Sequence, residues 1–243
     1  MTIIEPLYER THILVGDAGI ERLRTSHVFI AGLGGVGAFA AEALARAGVG
    51  ALTLADHDHV AASNLNRQLV ALHSTLARRK TTVMAERIAD INSHCRVTQI
   101  DEFLAAENME NLLLSNHFDH VIDAIDSLNS KLALLETALQ HGVPIVSSMG
   151  AGGRLDPTRV RVGDLAETCI CPLARQVRQR LRRRGITAEL TVVWSNEPPH
   201  PAQPPEDTER GRPRAVNGSM SYLPALFGLM LAGITIQRLL NTH

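Results

Sequence analysis

Residues 27–56 read HVFIAGLGGVGAFAAEALARAGVGALTLAD. HVFIAG is a short apolar run with strand character. The alanines and leucines that follow Val36 recur at helical spacing and stop at Gly48 and Gly50. ALTLAD then reads as a second strand. GLGGVG, carrying Gly32, Gly34, Gly35 and Gly37, sits between the first strand and the helix. Glycines at those places permit a tight turn, and they let the backbone approach phosphates lodged at the helix N-terminus. Asp56 ends the second strand, where a carboxylate can accept bonds from ribose hydroxyls. Strand, glycine turn, helix and acid together predict nucleotide binding. They do not choose between a dinucleotide and ATP.

The same alternation continues outward. Residues 74–92 read as an amphipathic helix with Leu76, Val83, Met84, Ile88 and Ile91 on one face. Strand character follows at 96–101, helix at 107–116, strand at 120–126, helix at 127–142 and strand at 143–148. This order predicts an α/β fold, a Rossmann-like and largely parallel sheet with helices on both faces. Beyond Gly150 the pattern changes. RVRVGDL (159–165) has the look of an edge or antiparallel strand, 171–185 is a basic helix, and AELTVVW (188–194) is a strand. Residues 198–213 are polar and proline-rich, the stretch best suited to a mobile loop, and 220–240 form an apolar helix. The expected organisation is a single unit over 1–243. Residues 27–150 form its nucleotide-binding core, and 151–243 form a mixed or antiparallel C-terminal extension serving substrate and dimer contacts.

Bulk properties narrow the class. With 243 residues, 45% of them hydrophobic, the chain can bury one substantial core. A formal net charge of −1 gives no global attraction to nucleic acid or anionic membrane, and leaves a local basic patch open. Three cysteines are too few for a disulfide scaffold, and the C-I-C spacing of Cys169 and Cys171 is shorter than a zinc knuckle. With Cys95 they read as reduced thiols in a cytoplasmic protein. The N-terminal residues lack the basic-then-apolar order of a signal sequence. Met220 to Leu240 is close to the length of a spanning helix, but Pro224, Gly228, Gly233, Ser221 and Gln237 interrupt it. It is expected to be buried, with no integral membrane span.

Three charges go beyond what hydride transfer requires. Arg67 lies in SNLNRQ after the second strand, Lys80 opens the next helix, and Asp126 follows a later strand. All three can reach the carboxyl-end crevice where open α/β sheets bind ligands. Triphosphates need cations, and a carboxylate can hold Mg²⁺. Asn64, Asn66 and Gln68 add neutral hydrogen-bonding groups. Each residue also has a plain alternative. Arg67 can cap a turn or pair with Asp58, Lys80 can sit on a solvated face beside Arg78 and Arg79, and Asp126 can be a helix N-cap.

GLGGVG, Asp56, SNLNRQ, Lys80 and DAID (Asp123–Asp126) in this order resemble the E1-like adenylating superfamily. That superfamily contains the ThiF/MoeB-like activators of sulfur-carrier proteins. The resemblance extends over nearly all the chain and sharpens to one branch, the tRNA threonylcarbamoyladenosine dehydratases. It does so through ALARAGVGALTLADHDHV, VIDAIDSLNSK, GAGGRLDPTRVRVGDL, LTVVWSNE and GSMSYLPALFGLMLAG. The resemblance implies ATP-dependent cyclisation of threonylcarbamoyladenosine at position 37 of tRNA through an adenylated carboxylate. It implies that Gly32, Gly34, Gly35 and Gly37 cradle ATP, and that Asp56 holds the ribose. Asn64, Arg67, Gln68 and Lys80 would contact the nucleotide, chiefly its phosphates, and Asp126 would hold Mg²⁺. Arg10 would reach the ATP of a neighbouring subunit, which implies a homodimer with composite sites. Arg67, Lys80, Asp126 and Arg10 would carry the reaction.

Leu7 departs from the family pattern, in which many relatives have a further arginine, and the C-x-C is not the paired C-x2-C zinc site of the sulfur-carrier enzymes. A basic helix bearing Arg175, Arg178, Arg180, Arg182, Arg183 and Arg184 offers a surface for tRNA phosphates, with Arg210, Arg212 and Arg214 as possible helpers. Its plain alternative is a solvated helix opposite Leu173, Val177 and Leu181. A sulfur-transfer partner is a further possibility. The competing readings are an adenylyltransferase for a ubiquitin-like sulfur carrier, a non-catalytic nucleotide-binding scaffold, and a nicotinamide-dependent dehydrogenase.

Overall fold

Alternation within the strands builds two cores. In β1 (His27–Ala31), Val28 and Ile30 join one buried cluster while Phe29 and Ala31 join another. Strand side chains alternate faces, so an apolar run of this kind must be covered on both sides. The computed structural model describes residues 5–206 and 214–240. On one side of the sheet lie α2 (Gly37–Ala47), α3 (Lys80–Ile91) and α7 (Tyr222–Leu239), with the end of α1 (Glu9–Thr25). On the other lie α4 (Ala106–Leu114), α5 (Leu128–Gln140) and α6 (Pro172–Arg183).

The remaining strands of the large sheet are β2 (Ala51–Ala55), β3 (Arg96–Ile100), β4 (His120–Asp123), β5 (Ile145–Ser148), β6 (Val160–Asp164) and β7 (Thr191–Ser195). The sheet has seven strands in the order β3-β2-β1-β4-β5-β7-β6. All neighbours pair in parallel except β6 and β7, which are antiparallel at the edge. Strand order reverses between β1 and β4. That reversal opens the crevice where such sheets take ligands. Two strands from the stretch after Gly150, β6 and β7, therefore extend the same sheet.

Several boundaries differ from the sequence reading. The helix expected over 74–92 begins at Lys80, and His73–Thr75 is a separate 3-10 turn. The Thr75 hydroxyl bonds Leu72 N at 2.9 Å and Val70 O at 2.7 Å, which favours a turn over helix. Ala77 then takes φ 63°, and Leu76 is left exposed. The proline-rich loop is part ribbon: β8 (Gln203–Glu206) pairs with β9 (Arg214–Val216). Residues 207–213, including Arg210 and Arg212, lie outside the described residues, as does the side chain of Arg214. Helix α1 has no counterpart in the sequence reading. Gly16, at φ 65° and ψ −176°, kinks it and breaks its periodicity. Helix α7 is long and apolar enough to span a membrane by composition. Here it packs on α2, with Phe227, Leu231 and Ala232 fully buried.

Candidate active site

The glycine turn is held shut by contacts that exclude side chains. A Cβ on Gly37 would lie 1.8 Å from the carbonyl oxygen of Gly32, which itself takes φ 92°. Neither position tolerates another residue without moving the turn. A Cβ on Gly35 would lie 2.9 Å from Pro224, so the start of α7 abuts the turn. Gly37 opens α2, whose N-terminal amides face the crevice side of the sheet.

Asp56 is 8% exposed and fastens this turn to the loop after β2. One carboxylate oxygen accepts the Leu33 amide at 2.7 Å, and the other accepts the Asp58 amide at 2.9 Å. Lys80 is 5% exposed. Its Nζ lies 2.9 Å from Asp58 Oδ2 and 3.9 Å from Asp56 Oδ1. A cation in the first turn of a helix opposes the helix dipole. The two carboxylates offset that penalty, and neither a solvated face nor an Arg67–Asp58 pair describes this arrangement. Arg67 instead donates through Nη1 to Ser63 O at 2.8 Å and to Asn66 Oδ1 at 2.9 Å.

The amides of SNLNRQ divide by role. Asn64 is buried, and its Oδ1 accepts the Ala61 amide at 3.1 Å, closing the 3-10 turn. Asn66 donates to Ser219 O at 2.9 Å and ties the stretch to the approach of α7. Gln68 sits against Gly34, and its Oε1 is buried without a hydrogen-bond partner. A buried, unanswered acceptor beside a glycine turn is costly unless a ligand or water answers it.

Asp123 and Asp126 differ sharply. Asp123 is fully buried, with Lys131 Nζ at 2.5 Å and Ser147 Oγ at 2.6 Å. Lys131 also donates to Ser148 O at 2.9 Å. This network joins the end of β4 to β5 and α5. Lys131 was not singled out in the sequence, where it resembles any helical lysine. Asp126 is exposed in the loop that packs against Gly32 through Ala124. It is not the N-cap of α5, a position held by Ser127. Arg10 is exposed in the first turn of α1, and no hydrogen bond or ion pair among the described residues joins it to its own glycine turn. The structure thus brings Gly32–Gly37, Asp56, Gln68 and Lys80 together, with the Arg67 backbone against Gly35 while its guanidinium caps the turn at Ser63. Asp126 lies on the adjoining loop, and Arg10 stands apart.

The arginines of α6 do not act as one set. Arg178 Nη1 donates to Thr168 Oγ1 at 2.5 Å, Thr168 O at 2.9 Å and Leu165 O at 3.1 Å. It is a brace for residues 165–168, not a free cation. Arg184 pairs with Glu136. Arg175, Arg180, Arg182 and Arg183 are exposed. Cys171 is buried and Cys169 exposed, and burial pushes the Cys95 thiol up to about 11. Sequence reasoning also passed over Arg154, which is 4% exposed just beyond β5. A lone arginine closing the glycine run GAGGR was the available signal.

A doubly wound sheet with a glycine turn at its switch point, an acid fixed behind it and a buried lysine beside that acid fits the adenylating class of nucleotide-binding proteins. The match to the ThiF family covers residues 8–243, and the chain belongs to that family. It is 38% identical over 241 residues to tRNA threonylcarbamoyladenosine dehydratase of Bacillus subtilis, covering 96% of this chain and 94% of that one. It is 45% identical over 169 residues to the Escherichia coli dehydratase, covering 70% of this chain and 63% of the relative. The crystal structure of the E. coli dehydratase TcdA in complex with ATP superposes with a TM-score of 0.85 at 34% identity, covering 99% of this chain and 98% of that one.

Proposed function

We propose that this protein is an ATP-dependent tRNA threonylcarbamoyladenosine dehydratase. It would cyclise the modified adenosine at position 37 with loss of one water. The observation carrying this reading is the reach of the similarity. It runs through the stretch beyond Gly150 as well as the nucleotide half. Residues 27–150 are read as the nucleotide core, and 151–243 as the part that receives substrate and partner subunit.

The crevice suits ATP. Gly32, Gly34, Gly35 and Gly37 offer a side-chain-free cradle, the Gln68 amide nitrogen lies beside Gly34, and Asp56 is placed for the ribose. Asn64 supports the loop, and Arg67 and Lys80 supply positive charge for the phosphates. Asp126 is the carboxylate assigned to Mg²⁺, which would neutralise phosphate charge when bound. The substrate carboxylate attacks the α-phosphate, and pyrophosphate leaves. An atom already in the modified base then attacks the activated carbonyl, and AMP leaves with the former carboxylate oxygen. Ring closure is intramolecular, so the protein contributes orientation, charge neutralisation and exclusion of water rather than a nucleophile.

Arg10 is assigned to the site of a second copy. Ile13 at 72% and Leu14 at 86% exposure follow it on α1, an apolar surface suited to a homodimer contact. The tRNA is assigned to the exposed arginines of α6, in a cytoplasmic setting, and a sulfur-transfer partner is assigned an accessory part only. Incubation with ATP, Mg²⁺ and modified tRNA should yield AMP, pyrophosphate and a nucleoside lighter by one water. Formation of ADP, or an unchanged nucleoside mass with folded protein, would refute the proposal. Pyrophosphate exchange dependent on a small carrier protein would instead identify the sulfur-carrier chemistry.

A further inference from the structure

Arg154 is charged, 4% exposed and only partly satisfied. Its Nη1 donates to Gly152 O at 2.8 Å. Its Nε and Nη2 are buried and have no hydrogen-bond partner. Those two nitrogens form one edge of the guanidinium plane, with parallel N–H bonds spaced to meet both oxygens of a single oxyanion. One edge is therefore anchored while the carboxylate-matching edge is left open. A guanidinium buried in this state is expensive.

Among the described residues nothing answers the open edge. Glu197, on the neighbouring segment, spends both oxygens on the amides of Leu155 and Asp156 at 2.9–3.1 Å. No ion pair to Arg154 exists among the described residues. The stretch before it, Gly150 to Gly153, carries nothing larger than a methyl. The position of a Gly150 Cβ would lie 3.7 Å from Nη1. The site is also tied to the nucleotide crevice. Gly153 N bonds Gly218 O at 2.7 Å, and the next residue, Ser219, accepts from Asn66 of SNLNRQ. Past β7, Asn196 has a second buried and unpartnered atom, Oδ1. Open polar groups thus extend along the carboxyl end of the sheet, from Gln68 through Arg154 to Asn196.

We infer that Arg154 receives the carboxylate of the acyl substrate through its Nε–Nη2 edge and presents it to the nucleotide. The inference rests on the dehydratase reading for the identity of that carboxylate. A backbone phosphate of tRNA shares the oxyanion chemistry, but it requires an open surface such as α6, not a nearly enclosed guanidinium. ATP phosphates are served by the glycine turn and Lys80, across β4.

The test compares wild type with Arg154→Gln and Arg154→Lys, using tRNA with and without the threonylcarbamoyl group. ATP binding and melting temperature serve as fold controls. In wild type, modified tRNA should bind more tightly than unmodified tRNA. Arg154→Gln should weaken the modified form by about 30-fold or more, leaving unmodified tRNA and ATP unchanged. Arg154→Lys keeps the charge but loses the fork, and should fall between the two. It also supplies the reading if the Gln variant fails to fold. Equal weakening of both tRNAs would assign Arg154 to a backbone phosphate and overturn the inference. Unchanged preference in either folded variant would also overturn it. A wild type that cyclises tRNA while the variants retain its KM refutes only the role of Arg154. A wild type that cyclises nothing refutes the dehydratase reading itself.

Discussion

The two ends of the sheet treat polar groups in opposite ways. At the amino end, the His27 amide donates to Asp119 at 2.7 Å and its ring meets Thr53 at 2.8 Å. Buried His120 lies between Thr235 and Arg238. Arg238 reaches on to Ile145 O at 3.2 Å and Thr191 Oγ1 at 2.5 Å, binding α7 to three strands. At the carboxyl end, Gln68, Arg154 and Asn196 each bury an atom with no partner. Buried polar groups are normally satisfied, so a row of exceptions marks where something else is bound. The amino end closes these polar groups on the protein itself, whereas the carboxyl end combines the closed Asp123–Lys131 pair with open groups left for ligands.

The first test asks whether the carboxyl end contains any purely structural polar network. Asp123 and Lys131 are the candidate, since both are fully buried and mutually bonded. Lys131→Met leaves Asp123 without its cation. It should cost about 3–5 kcal/mol in urea unfolding. A loss below about 1 kcal/mol would show that the network does not hold the loop after β4. Lys80→Ala should behave differently, because Asp58 is half exposed and can turn to water while buried Asp56 keeps two backbone amides. Stability should change little. Turnover of modified tRNA should fall by roughly 10²–10³-fold, the scale of losing one preorganised charge at a reacting phosphate. A fall below tenfold would remove Lys80 from the chemistry.

This contrast also explains what could be read from the sequence. Glycine spacing, alternating strands and Asp56 report local rules, so the large sheet, the helices that cover it other than α1, and the glycine turn were legible. Lys80 at the head of a helix and Asp126 after a strand were legible as charges able to reach the crevice, but their partners were not. Whether a lysine meets Asp58 or solvent is decided by residues 22 positions away. Arg178 shows the same limit, because helical periodicity groups it with Arg175 and Arg182 while the turn at 165–168 draws it inward. The division of DAID into a buried structural acid and an exposed one depends on Lys131 and Ser147, which belong to other elements. Arg154 was missed because an unpaired guanidinium is visible only when everything around it is known.

Acid should expose the amino end. Burial and the Arg238 charge push His120 down to about 3. Arg238 has no lone pair, so His120 Nε2 must accept and Nδ1 must carry the proton toward Thr235. The unfolded chain takes up a proton near pH 6.5 and the folded chain does not until about 3. The stability of neutral His120 is thus complete above pH 6.5 and lost as pH falls from there toward 3. Between pH 7 and pH 5 the loss should be roughly 1–2 kcal/mol. His27 is shifted down by burial in the same direction and adds to it. His120→Gln should flatten the stability profile over this range. An unchanged slope would place the acid sensitivity elsewhere.

The smallest effect on the fold should come from the outward arginines of α6, and it separates two residues that the sequence groups together. Arg175 and Arg182 are exposed, whereas Arg178 braces Thr168 and Leu165. Glutamate at 175 and 182 should change stability by less than about 0.5 kcal/mol. If both arginines contact tRNA phosphates, the slope of log affinity against log salt should shrink by about 2, with ATP binding intact. Arg178→Glu should instead lower the melting temperature, because a carboxylate would face two carbonyl oxygens in place of a donor. Its effect on tRNA would then follow the loss of the turn and not a missing phosphate contact. If Arg178→Glu spared stability and reduced the salt slope, the inward hydrogen bonds would be incidental, and α6 would present one continuous basic face.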